Sequence, residues 1–279
     1  MFFMSSTLVV GGNGYIGSHM KKRFPNFIFV GRKEFDLLKK DEIVTYCKNI
    51  KIDVCIILSA TISYEEDLNF SEEPFTTNII GLNNLLSTLK EINKNIKIIY
   101  FSSMTVYADD NALPVTENAS LSPLHSYGLS KVYAESLVKY YNFKSVIIRI
   151  PGIYGGDRKS GLIYTVITKM IQDKEVSIDT KGLGYWETLH VDDMLNMFSD
   201  FLDNYKYGTE YEVFNIAYGE KTDIVETVEF IAKQLKSSSK VDINKKYKDL
   251  YLSNDKLLKF INPSMRFRER LLLYMNEII

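Results

Sequence analysis

The chain has 279 residues, 46% of them hydrophobic and 25% charged, and 34 Lys and Arg face 35 Asp and Glu for a formal net charge of -1. This is enough apolar matter for a large core, and the charge balance gives no global attraction to nucleic acid or an anionic membrane surface. The two cysteines, Cys47 and Cys55, make no disulfide framework, no Cys/His cluster has metal-ligand spacing, and no apolar run approaches the roughly 20 residues of a membrane helix.

Short apolar, β-rich runs alternate with helical stretches through the first half. The expected strands are Thr7–Val10, Asn26–Val30, Asp53–Ser59, Ile96–Ser102 and Ser145–Ile150, with helices around 15–23, 39–50, 72–93 and 126–141. Several of these strands are apolar almost throughout, as strands buried on both faces are, so the alternation predicts a Rossmann-type, doubly wound parallel α/β sheet. The second half is less regular: 211–217 reads as a strand, 220–235 as an amphipathic helix, and the end as two short helices around Asn262 and Pro263. The expected division is a dinucleotide-binding domain of 1–153 plus about 191–217, and a smaller, discontinuous α/β substrate domain of about 154–190 and 218–279. The opening "MFFMSS" is too short and uncharged for a signal peptide, so the expected location is cytoplasmic.

"VVGGNGYIGSH", residues 9–19, follows the first strand and opens the first helix. In that context Gly11 can take a tight turn, Gly14 lets the backbone approach a pyrophosphate, and Gly17 lets the helix pack on its strand. Asn13, Tyr15 and Ile16 belong to the same expected cofactor turn, whose exposed N–H groups and positive helix end favour an anion. The spacing is GxxGxxG rather than GxGxxG. About 20 residues on, where an NAD site carries an acidic residue for the ribose 2′-hydroxyl, the chain offers Gly31, Arg32 and Lys33. The Arg32 guanidinium suits a 2′-phosphate by charge and by its planar donor fork, so NADP(H) is favoured over NAD(H).

"SYGLSK", 126–131, sets Tyr127 and Lys131 four residues apart on one helix face. A neighbouring ammonium favours a phenolate, so the pair can move a proton to or from a sugar hydroxyl while a nicotinamide moves the hydride. Upstream, "IIYFSSMTVYADD" is a buried strand ending in hydroxyl residues, from which Ser103 could hold the reacting oxygen against Tyr127.

With these pieces the chain resembles the extended short-chain dehydrogenase/reductases, in the sugar-nucleotide epimerase/dehydratase/reductase family. The matching segments occur in order: "GGNGYIGSH", "FDLL", "ILSAT", "TTNIIGLNNLL", "FSSMTVY", "SYGLSK", "RIPGIYGG" and "LHVDD". The resemblance implies that Asp36 and Leu37 flank the adenine. Leu58, Ser59 and Ala60 line the cofactor's pyrophosphate and ribose, with Asn78 supporting that strand. Ser103 matches the catalytic Ser/Thr ahead of Ser102, Tyr127 the acid–base, and Lys131 the residue that also holds the nicotinamide ribose. Pro151 lies beside the nicotinamide, and Thr105 matches a position that contacts the sugar. Family members often dimerise through helices such as 72–93 and 126–141, which makes a homodimer an expectation.

The chain also departs from that pattern. Trp186 in "YWETLHV" stands where the family carries an Arg that grips the substrate's diphosphate, and Gly152 replaces the usual Asn after the fifth strand. Arg158 and Lys159, or Arg266 and Arg268, are the candidates for the missing charge, and the indole could stack on a base or sugar face. His19 reads as a helix-surface residue, and His190 as ordering the turn into the next helix. The expected function is NADP(H)-dependent reduction of a keto-sugar, nucleotide-activated, with no metal. An NAD-dependent epimerase that retains its cofactor is the alternative. A non-catalytic dinucleotide sensor is disfavoured because Ser103, Tyr127 and Lys131 are all present.

Overall fold

The structure, a computed structural model, describes residues 6–62, 71–179, 185–208, 211–244, 248–263 and 265–279. Strand β1 (Thr7–Val10), helix α1 (Tyr15–Arg23), β2 (Ile28–Val30), α2 (Lys40–Cys47) and β3 (Val54–Ile57) open the chain. One continuous helical run then passes from α3 (Glu73–Phe75) through a π-helical turn (Thr76–Gly81) into α4 (Leu82–Ile92). It is followed by β4 (Lys97–Ser103), a 3-10 turn (Met104–Val106), α5 (Ser126–Tyr140) and β5 (Ser145–Ile150). The second half contains β6 (Gly152–Tyr154), α6 (Leu162–Ile171), β7 (Val176–Asp179), β8 (Tyr185–Trp186), β9 (Thr188–His190) and α7 (Val191–Asn204). After β10 (Tyr211–Asn215) come α8 (Ile224–Leu235), β11 (Val241–Asn244), β12 (Lys248–Asp249), a 3-10 turn (Leu257–Lys259) and α9 (Phe267–Ile278).

Six strands form one parallel sheet in the order β2-β1-β3-β4-β5-β10. Alternate residues of each strand feed two separate cores. Leu8, Cys55, Ile57, Ile98, Tyr100 and Ile147 pack under α2, α4 and α5. Val9, Ile56, Ile99, Phe101 and Ile148 pack on the other side with residues of α1, α6 and α7. Burial on both faces is why these strands read as near-continuous apolar runs. The strand order reverses between β1 and β3, and in such sheets the crevice beyond the carboxyl ends at the reversal is where ligands bind. The ends of β1, β3, β4 and β5 therefore fix the place of the site.

The second half adds three two-stranded parallel pairs, β11-β7, β12-β8 and β6-β9. The expectations did not include these strands or α6. Strands of two to four residues carry too few positions for a period, whereas α6 buries Ile163, Val166, Ile167 and Met170 at the i, i+3, i+4, i+7 spacing of an amphipathic helix, a pattern that was present in the sequence. His19 is a correction: it is 7% exposed, with Nε2 2.9 Å from Asp157 Oδ1, and its ring lies where a Cβ on Gly156 would stand. Gly156 has φ +57, so glycine is required there twice over, and the contact pins α1 to the loop after β6. No helix among the described residues is long and apolar enough to cross a membrane.

Candidate active site

The glycine turn is built by close approach. Gly11 has φ +92, and a Cβ on it would meet the Ser59 backbone nitrogen at 2.6 Å, so the turn lies directly on the end of β3. A Cβ on Gly17 would collide with the carbonyl oxygen of Gly11, which seats α1 against the turn. Gly14 is the N-cap, no side chain caps the helix, and its first turn has no acidic residue. The N-terminal N–H groups of α1 and the helix dipole are thus left for an anion.

A cavity of about 250 Å³ opens beside this turn. Gly11, Asn13, Gly14, Arg32, Asp36, Leu37, Leu58, Ser59 and Ala60, all named from the sequence, line it. Phe35, Thr61 and Thr77 line it too and were not foreseen. The apolar walls of Leu37, Leu58 and Phe35, the glycine floor and the free helix terminus fit a dinucleotide's adenosine and pyrophosphate. Glu34, the acidic side chain nearest the end of β2, accepts the Gly31 N–H at 2.7 Å and is occupied in closing its own turn. Tyr15 donates from its hydroxyl to the Gly155 carbonyl at 2.8 Å, so it braces the turn from the α1 side, and Ile16 packs against the adjoining core.

Asn78 fastens this wall to the next. Its Oδ1 accepts from Thr61 N at 2.8 Å, and its Nδ2 donates to Thr61 O at 3.0 Å and to Ser130 Oγ at 2.9 Å. The π-helical turn that carries it projects the amide between β3 and α5, a use of π-bulges common at functional sites. Asn78→Ala is expected to cost about 1–3 kcal/mol of unfolding free energy and to weaken dinucleotide binding several-fold. Denaturant titration and a fluorescence titration with NADPH measure both, and unchanged affinity would mean that Thr61 is held without it.

At the end of β4, Ser103 caps the 3-10 turn and its Oγ accepts from Thr105 N at 3.2 Å and Thr105 Oγ1 at 3.0 Å. Both bonds are accepted, so the Ser103 proton is left to donate outward. Ser102 points the other way: it donates to Glu135 Oε1 at 2.6 Å inside a buried pair of Glu135 with Arg149, whose Nη2 lies 2.7 Å from Glu135 Oε2. Tyr127 and Lys131 sit on α5, 6% and 2% exposed. A Cβ on Gly128 would collide with the carbonyl oxygen of Thr105, so this glycine lets the start of α5 lie on the end of β4. That contact brings Ser103, Thr105, Tyr127 and Lys131 to one edge of the sheet, with Pro151 buried just beyond β5.

Lys131 has a second attachment that the sequence did not announce. Its Nζ donates to the Tyr100 hydroxyl at 2.9 Å and to the Phe101 carbonyl at 2.9 Å. Burial pulls its pKa down to about 7, with the nearby Glu135 carboxylate opposing. The Tyr100 phenol is pushed well up, by burial first and then by Tyr127 and Glu135.

Beyond the sheet the picture is mixed. Arg158 is exposed, donates to Ile153 O and Ser160 Oγ, and stands 5.4 Å over the Tyr15 ring, at the rim of the glycine turn. Trp186 pairs through its backbone with Asp249, and its side chain lies outside the described part. Arg266 is the N-cap of α9, and Arg268 lies 3.1 Å from Glu226 on α8. His190 is the N-cap of α7, with Nδ1 accepting from Asp192 N, and burial pulls its pKa down to about 4, so it stays neutral and structural. Among the described residues no group of His, Cys, Asp or Glu could hold a metal ion.

Residues 7–217 match the profile of the NAD dependent epimerase/dehydratase family. A dTDP-D-glucose 4,6-dehydratase of Dictyostelium discoideum is 28% identical over 272 residues, 78% of this chain and 62% of that protein. The chain thus spans less than two thirds of that relative's length. A dTDP-4-dehydro-6-deoxyglucose reductase of Escherichia coli is 32% identical over 146 residues, 48% of this chain and 45% of that protein. Among solved structures, the UDP-glucuronic acid 4-epimerase of Bacillus cereus, in complex with UDP-glucuronic acid and NAD, superposes with a TM-score of 0.81. It covers 98% of this chain and 100% of that one at 22% identity, a likeness of fold.

Proposed function

Because the chain belongs to the NAD dependent epimerase/dehydratase family, a family of NAD(P)-dependent sugar-nucleotide enzymes, we propose that it is an NADP(H)-dependent reductase of a nucleotide-linked keto-sugar. The observation that carries this reading is Arg32. It follows β2 and lines the cavity where an enzyme using NAD carries a carboxylate, and the nearest carboxylate, Glu34, is turned onto the Gly31 N–H. Similarity to a keto-sugar reductase over about half the chain supports the same choice.

In this reading Gly11, Gly14 and the start of α1 hold the pyrophosphate, Asp36 and Leu37 the adenosine, and Lys131 the nicotinamide ribose, with Pro151 beside the ring. The reduced nicotinamide, when bound, supplies the hydride to the ring ketone. Ser103 donates a hydrogen bond to the carbonyl oxygen, fixing it and stabilising the negative charge that builds there. Tyr127 gives its phenolic proton to that oxygen, and the Lys131 ammonium stabilises the phenolate left behind. Thr105 orients Ser103 and faces the sugar. The segments after β5, with α6, α8, α9 and the small strand pairs, take the nucleotide half, and Arg158 and Trp186 are the candidate residues for holding it.

The test is to identify any nicotinamide cofactor that stays with the purified protein and to titrate NADPH against NADH. The expected result is an empty site that prefers NADPH by at least about tenfold, a preference lost in Arg32→Ala, since a charge-assisted contact is worth about 1.5–3 kcal/mol. Stoichiometric NAD that survives dialysis would overturn the reductase and favour an epimerase that recycles its cofactor.

A further inference from the structure

We propose that Tyr100 is a positioning residue that holds the Lys131 ε-amino group in one place in both of its protonation states. This rests on the reading above only in giving Lys131 a task at the ribose and Tyr127.

Lys131 is nearly fully buried, and two of its directions are taken by β4, the Tyr100 hydroxyl and the Phe101 carbonyl. The two acceptors are not equivalent. A carbonyl can only accept, whereas a phenol accepts from an ammonium and donates to the lone pair of a neutral amine. The ammonium also lies 4.5 Å from the centre of the Tyr100 ring, which adds an attraction for the charged form. Tyr100 keeps its proton at neutral pH because burial disfavours its anion, so the donor is there when the amine needs it.

Packing alone does not call for this hydroxyl. Tyr100 pairs across the sheet with Ile57 and Ile147, and Ile98 precedes it on the same face, so Phe would fill the space. A buried hydroxyl without a partner would destabilise the core, and the partner that this one has is Lys131. The titratable groups facing the amine are Tyr100 from β4 and Tyr127 and Glu135 from α5, with Glu135 held by Arg149 of β5 and by Ser102. Tyr100 is the one of these that hydrogen-bonds Nζ directly. Its loss should cost the ammonium more than the amine, since charge-assisted hydrogen bonds are the stronger.

The experiment uses wild type, Tyr100→Phe, Lys131→Met and the double variant. Unfolding free energy is measured from pH 6 to 10, and NADPH affinity over the same range without sugar. Tyr100→Phe is expected to move the Lys131 ionisation, read from the pH dependence of stability, down by about half a unit or more, and to weaken NADPH about tenfold. On the Lys131→Met background it should change NADPH affinity less than twofold and leave the pH dependence alone, because the partner is gone. Equal effects of Tyr100→Phe on both backgrounds, or an unmoved ionisation, would overturn the proposal. Failure of wild type to bind NADPH or NADH would sink the proposed function instead, and the unfolding arm would still decide on Tyr100.

Discussion

Tyr127→Phe is expected to lower kcat about a thousandfold while NADPH affinity changes less than about threefold. The loss follows from removing a general acid, which contributes roughly 10²–10⁴ in rate. The ring is nearly buried at the start of α5, and Phe keeps its shape, so α5 and the Gly128 contact with Thr105 stay as they are. In the proposed mechanism Ser103 would still polarise the carbonyl oxygen, so activity should fall by orders of magnitude rather than to the level of the reaction in water. NADPH consumption followed at 340 nm with dTDP-, UDP- and GDP-linked 4-keto-6-deoxyhexoses gives the measurement. Undiminished turnover would remove Tyr127 from the chemistry, whereas equal loss of cofactor affinity would make it a binding residue.

Most of the sheet was legible because its strands are buried on both faces and separated by helices long enough to show their period. The glycine turn was legible for a different reason: close approach and a positive φ leave few residues that can stand at positions 11 and 17, so the motif is written in the sequence. The cavity wall came through in the same way, except for Phe35, Thr61 and Thr77, which contribute as neighbours of named residues and have no pattern of their own. Tyr100 was missed because a tyrosine in "KIIYF" reads as one more large β-former. Its polar tip gains meaning only when the register sets it under α5, at Lys131. His19 was misread because a lone histidine on a short helix is ordinarily solvated, and the loop that buries it lies more than 130 residues downstream. The nucleotide end of the substrate was the least legible, since it depends on two- and three-residue strands and on side chains brought together from both halves.

The same burial that suits Lys131 to its role carries a cost in stability with a definite pH signature. Its folded pKa is about 7, against roughly 10.4 for a free lysine, so the shift is downward. Between those two values the unfolded chain binds one proton more than the folded chain, and stability therefore rises with pH by up to about 1.4 kcal/mol per unit. Below pH 7 both states carry the proton, and the full penalty of the buried charge is present. Lys131→Met removes the titration altogether. Relative to that variant, wild type is expected to gain up to about 4 kcal/mol of unfolding free energy between pH 7 and 10, and nothing further below pH 6. Each pH is compared between the two proteins, so cysteines and tyrosines that titrate in the same window cancel. Urea unfolding of both proteins at one-unit intervals gives the result directly. Parallel stability curves would mean that Lys131 stays charged throughout, held by Glu135 more strongly than its burial resists. In that case the Tyr127 phenolate would face a permanent cation, and the fall in turnover at high pH would belong to Tyr127 alone.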